Sequence, residues 1–118
     1  FTNRQARTSR AKARLETRLA ELNYADAEKS LLTTVESLYQ DAVSAQSRYR
    51  AATDKVRSAG LSYSLVLGQF EAGMKNTVEL LTEKNNYLAA QQEQIQAKYQ
   101  AVLSIRLLDF YRNVPIEL

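Results

Sequence analysis

The stretch VESLYQDAVSAQSRYRAATDKVRSAGLSYSLVLGQFEAGMKNT, residues 35–77, decides the fold. Its apolar positions advance by alternating steps of three and four: Val35, Leu38, Ala42, Ala45, Tyr49, Ala52, Val56, Ala59, Tyr63, Val66, Phe70. That alternation is the seam of a coiled coil. It runs into Glu71-Ala72-Gly73-Met74-Lys75-Asn76-Thr77, where the helical pattern breaks and restarts. A long helix that folds back at one defined tip is a reaching or docking device, with little room for an enzyme pocket.

Working outward, residues 3–72 read as one proline-free helix rich in Ala, Leu, Arg, Glu and Gln. At 1.5 Å per residue it would extend about 105 Å. Gly73 is the natural left-handed residue after its end, since glycine alone takes that conformation without steric cost. Asn76 is a good N-cap, and Glu79 three residues on completes an Asn-x-x-Glu capping box. The turn is thus residues 73–76, and a second helix follows over 77–111, roughly 53 Å long. Asn113 and Pro115 mark its end, leaving residues 112–118 as an extended tail. In an antiparallel hairpin centred near Met74, residue i faces about residue 148 − i. The expected answering seam on the second helix is Val78, Leu81, Leu88, Ile95, Tyr99 and Val102, with Asn85 and Gln92 as polar interruptions. A second stripe of small residues, Ala90, Ala97, Ala101 and Ser104, runs beside it. One apolar face suffices for a hairpin, whereas two suggest a sheet or ring of helices; alanine's high helix propensity accounts for the stripe equally well.

The second helix is about half as long as the first, so residues 3–34 lack an intrachain partner. Leu15, Leu19, Leu22, Leu31 and Leu32 still need cover, because a solitary helix gains little stability in water without packing. The fragment therefore reads as part of a larger helical assembly. Gly60 and Gly68, inside the first helix, each cost about 1 kcal/mol relative to alanine. Local crowding that excludes a side chain is the favoured reason, ahead of softness near a moving tip.

Composition agrees. At 118 residues there is at most one domain, with one proline, three glycines, no cysteine and no histidine. The absence of cysteine removes disulfides and thiolate metal sites but leaves the compartment open. The longest charge-free stretch, Ser58 to Phe70, is too short to span a bilayer as a helix, which needs about 20 apolar residues. The chain opens on Phe1 with no initiator methionine or signal-peptide pattern, and reads as a piece of something longer. Net charge is +3, unevenly spread. Residues 1–18 hold Arg4, Arg7, Arg10, Lys12, Arg14 and Arg18 against Glu16 alone, a local balance of +5, so the remainder sums to −2. Such a run can signal nucleic acid or anionic lipid. The plainer reading, a solvated helical face, is favoured because no aromatics interleave with the arginines as single-strand binding requires.

No catalytic constellation is present. Without His or Cys, the commonest general base, metal ligand and nucleophile are missing. The carboxylates are scattered, and no P-loop, dinucleotide fingerprint or EF-hand spacing occurs. No cofactor or metal is expected. Tyr49, Tyr63 and Tyr99 lie at expected seam positions and read as packing residues.

Phe70-Glu71-Ala72-Gly73-Met74-Lys75-Asn76-Thr77-Val78-Glu79-Leu80-Leu81 resembles the tip of the outer-membrane efflux protein family, the TolC-like channels, with its aromatic-x-x-Gly followed by an acid and two aliphatics. Ala97-Lys98-Tyr99 with Leu103 resembles the family's Ala-Arg-Tyr segment, and Leu107-Leu108 with Tyr111 its terminal Leu-rich stretch. Asn113 stands where a glycine is common. The resemblance covers nearly the whole chain and one of the family's two repeats.

The resemblance implies an all-α fold: a long antiparallel coiled-coil hairpin, here the second repeat's, forming part of a trimeric α-helical barrel. It implies a homotrimer anchored in the outer membrane through β-strands outside this sequence, with the hairpin in the periplasm. The function implied is the tunnel of an efflux or type I secretion channel, with no chemistry of its own, working with a periplasmic adaptor and an inner-membrane pump. By position, adaptor docking falls on Ala72, Gly73 and Met74. The aperture latch falls on Lys75, a point charge where arginine would offer a fork, and an acidic ring falls on Glu79. Thr82 stands at the family's second ring position, with Glu83 about 100° further round the helix. Two alternatives are an adaptor protein's own hairpin, expected to be flanked by lipoyl-like β segments, and a nucleic-acid-binding coiled-coil arm resting on residues 1–18. No nucleic-acid partner is expected under the leading reading.

Overall fold

The computed structural model describes residues 1–113. It contains two helices, α1 over Thr2–Glu71 and α2 over Thr77–Asn113. Helix α2 thus continues two residues beyond the expected end. The rest of the expected tail, residues 114–118, lies outside the described residues. Two compact units divide the chain, residues 1–37 and residues 38–118.

In the second unit the two helices run antiparallel. Lys55 Nζ lies 2.8 Å from Glu93 Oε2, the pairing that a hairpin centred near Met74 requires. The Gln94 amide donates to Thr53 Oγ1 at 3.2 Å, and the Tyr87 ring lies over Gly60; both fall within one residue of the same relation. On α1 the expected stripe is the buried one: from Leu38 to Phe70 every member is buried or half-buried, with Ala42, Ala45 and Ala52 the most enclosed, and Val35 is half-buried too.

Helix α2 turns a different face inward from the one expected. Val78, Leu81, Leu88, Ile95, Tyr99 and Val102 are all exposed. The inward row is Leu80, Glu83, Tyr87, Ala90, Gln94, Ala97, Ala101, Ser104, Leu108 and Tyr111, also in steps of three and four, with Gln91 and Ile105 half-buried beside it. The seam is therefore the small-residue stripe, extended by Leu80, Tyr87 and Leu108. Tyr99, expected in the seam, is among the most exposed large side chains. Alanines on both helices let the backbones approach closely, and large side chains on that face would overfill the space.

Several large or polar groups of the seam have specific partners. The Tyr63 and Tyr87 rings stack, with centroids 6.0 Å apart and planes 7° from parallel. Gln94 donates to Thr53, whose hydroxyl in turn donates to the Tyr49 carbonyl at 2.9 Å, so the amide and the hydroxyl enter the seam hydrogen-bonded. A Cβ on Gly60 would stand 2.9 Å from Tyr87 Cε2. Crowding thus explains this glycine. It does not explain Gly68, where a Cβ would meet nothing within 4 Å.

The first unit is helix alone. Residues 1–30 are exposed throughout, Leu15, Leu19 and Leu22 among them, as is Leu32. Among the described residues no helix is long and apolar enough to cross a membrane.

Candidate functional site

Five residues, Ala72 to Asn76, connect the helices, and both sides of the connection are capped. Gly73 has φ +76°, the left-handed conformation. The Met74 N–H donates to the Gln69 carbonyl at 2.8 Å, and the Gly73 N–H donates to the Phe70 carbonyl at 2.9 Å. These two bonds make a Schellman motif and satisfy carbonyls that the end of α1 would otherwise leave open. On the other side the Glu79 N–H donates to Asn76 Oδ1 at 2.8 Å, and the Asn76 N–H donates to Glu79 Oε2 at 3.1 Å. The capping box is reciprocal, and the first α2 carbonyl bond, from the Leu80 N–H to the Asn76 carbonyl at 3.2 Å, follows directly.

The five residues expected to carry function thus sit on one short, internally bonded knob. Ala72, Gly73 and Met74 are exposed, and Met74 presents 72% of its surface. Lys75 is half-buried. Glu79 is exposed, but one of its carboxylate oxygens is engaged by the cap. The ion pairs among the described residues are Lys55–Glu93 and Arg57–Asp54, so Lys75 and Glu79 are not joined by one. Thr82 is exposed and returns its hydroxyl to the Val78 carbonyl, whereas Glu83 points into the seam face. Among the described residues, no group of acidic side chains is placed to hold a metal ion.

The larger feature is the open face of α2. Val78, Leu81, Leu88, Ile95 and Val102 lie about 150° around the helix from the seam, at 100° per residue. Helix α2 is therefore apolar on two nearly opposed sides, one covered by α1 and one uncovered. On α1, Leu61 and Leu65 are similarly exposed close to the tip, seven and three residues before Gly68. Sequence reasoning registered two stripes on α2 but assigned them in reverse. Gly60 was the signal that could have corrected it: a notch in the α1 seam calls for a bulky side chain opposite, and Tyr87 lies on the small-residue stripe, not on the Leu/Ile one.

Residues 1–110 match the protein family described as Outer membrane efflux protein. No significant match is found among curated proteins or among solved structures. With nearly its whole length matched, the chain belongs to the outer membrane efflux protein family.

Proposed function

We propose that this member of the outer membrane efflux protein family forms part of the wall of a periplasmic tunnel, in a trimeric channel that serves efflux or type I secretion. The observation that carries the reading is the double-faced character of α2. A hairpin needs one apolar face per helix, whereas a helix set in a closed wall has a neighbour on each side. The seam face is covered by α1, and the Val78–Leu81–Leu88–Ile95–Val102 face is left for the next helix. Contiguous exposed apolar surface of this kind marks an interaction site. The exposed Leu15, Leu19 and Leu22 of the first unit carry the same message.

In this reading the channel does no chemistry, and an inner-membrane pump supplies the energy. The tip of Ala72, Gly73 and Met74 docks a periplasmic adaptor. The knob suits docking because its caps fix it before contact, so little conformational entropy is lost on binding. Lys75 and Glu79 line the aperture. Glu79 then acts twice, holding the start of α2 through one oxygen and adding negative charge to the mouth.

The reading is tested by cysteine labelling of the full-length protein in its native membrane. Ile95→Cys is expected to resist a maleimide in the assembled channel and to react once the channel is dissociated. Equal labelling in both states would remove the wall reading. Docking is tested separately, by crosslinking Met74→Cys to a candidate adaptor in cells that carry the pump; a crosslink found equally at Gln96→Cys, on the hairpin shaft, would count against a specific tip contact.

A further inference from the structure

We infer that the open face of α2 is a second coiled-coil seam, and that the helix it takes is acidic along one flank and carries amide or hydroxyl side chains at the levels of Asn85 and Gln92. Asn85, Gln92 and Tyr99 fill the gaps between the exposed apolar residues of this face. From Val78 to Val102 it therefore advances in alternating steps of three and four without a break. Every member of the row is exposed. This is a heptad seam about 36 Å long, turned away from α1. The inference rests on the wall reading and adds to it the chemistry of the neighbouring helix.

The two flanks of the row differ. Lys84, Gln91 and Lys98 border it on one side, and the uncharged Thr82, Ala89 and Gln96 on the other. Neither lysine joins an ion pair among the described residues. Three and four residues away from Lys84 stand Leu80, Leu81, Tyr87 and Leu88, and around Lys98 stand Gln94, Ile95, Ala101 and Val102. Helix α2 thus gives neither lysine an acid at helical spacing. In the hairpin register, α1 brings Ser64 to the level of Lys84 and Arg50 to that of Lys98, which adds no carboxylate. A helix laid on this face meets both lysines at flanking positions, where opposite charge selects the partner. Acids two heptads apart on that helix answer them.

The amides make the second demand. Asn85 and Gln92 lie in the middle of the face, so an apolar side chain set over either would leave buried donors and acceptors unpaired. An amide or hydroxyl at the same level pairs with them, and a polar pair inside a seam fixes register and partner at some cost in stability. Other occupants answer these groups less well. Hydrocarbon offers the amides no hydrogen bond. An antiparallel second copy of α2 would bring the two lysine flanks together, and a parallel one would set the lysines against the uncharged flank.

The test uses the full-length protein extracted from its native membrane, with assembly read on native gels over a range of salt. Lys84→Glu with Lys98→Glu should lower the assembly constant about ten-fold, whereas Lys84→Arg with Lys98→Arg should leave it unchanged. Salt should weaken assembly of the parent protein, and it should have less effect on Lys84→Gln with Lys98→Gln. Asn85→Leu supplies a sign. Opposite a polar group it strands that group and should weaken assembly about ten-fold, but opposite an apolar one it would strengthen assembly. A photo-reactive residue in place of Gln92, mapped by mass spectrometry, identifies the neighbouring helix directly. Its sequence should carry acids two heptads apart. Assembly indifferent to Lys84→Glu with Lys98→Glu, stronger assembly of Asn85→Leu, or a crosslinked helix without those acids would overturn the inference. Each result is compatible with a shielded Ile95→Cys, so the inference fails alone in that case; equal labelling of Ile95→Cys in both states would remove the wall reading as well.

Discussion

Gly60 lies so close beneath the ring of Tyr87 that a Cβ there would stand 2.9 Å from Cε2. The same ring stacks with Tyr63, so a shift away from an added methyl group would disturb that stack. Gly60→Ala therefore sets two effects against each other. Alanine gains about 1 kcal/mol in helix propensity, and overpacking costs about 1–3 kcal/mol. The net expectation is destabilisation, read as a lower midpoint in urea unfolding. Gly68→Ala, with open space around it, should raise the midpoint by the propensity alone. An equal rise for both variants would contradict the notch.

Gly73 is a backbone requirement of another kind. At φ +76° an alanine costs about 1–2 kcal/mol, whatever the space around it. Gly73→Ala should destabilise the hairpin by that amount, while Gly73→Asn should recover part of the loss because asparagine tolerates the left-handed region. Thermal unfolding of the three proteins side by side checks the order Gly, Asn, Ala.

The double use proposed for Glu79 can be separated by one substitution. Glutamine keeps the side-chain carbonyl that accepts from the Asn76 N–H, so Glu79→Gln should leave stability within about 0.5 kcal/mol, whereas Asn76→Ala should cost about 1 kcal/mol. If Glu79 also lines an aperture, Glu79→Gln in the full-length channel should reduce cation preference in single-channel recordings. A glutamine variant with unchanged selectivity would leave Glu79 as a cap alone.

The two faces of α2 should respond oppositely to substitution. Ala90 is 2% exposed in the seam, and Ala90→Leu should overpack it by about 1–3 kcal/mol and weaken the hairpin itself. Ile95→Ser, on the open face, should leave hairpin unfolding nearly unchanged but reduce the assembled fraction of the full-length protein on native gels. Hairpin unfolding that is sensitive to Ile95→Ser and indifferent to Ala90→Leu would reverse the face assignment.

The sequence by itself determined the two long helices, the place where the chain turns, and the face that α1 presents. Each rests on local chemistry that needs no knowledge of neighbours: an unbroken alternation from Val35 to Phe70, a glycine where φ must be positive, and Asn76 three residues before Glu79. The antiparallel register followed from the turn, as Lys55 and Glu93 bear out. Which stripe of α2 meets α1 was decided only by tertiary structure. Both stripes repeat every seven residues, so periodicity could not rank them, and choosing the larger side chains assumed that the intrachain seam takes the most apolar face. The structure gives that seam to the alanines, with Tyr87 seated in the Gly60 notch. Small residues let two helices of one chain approach closely, and the bulkier Val78, Leu81, Leu88, Ile95 and Val102 are left facing outward.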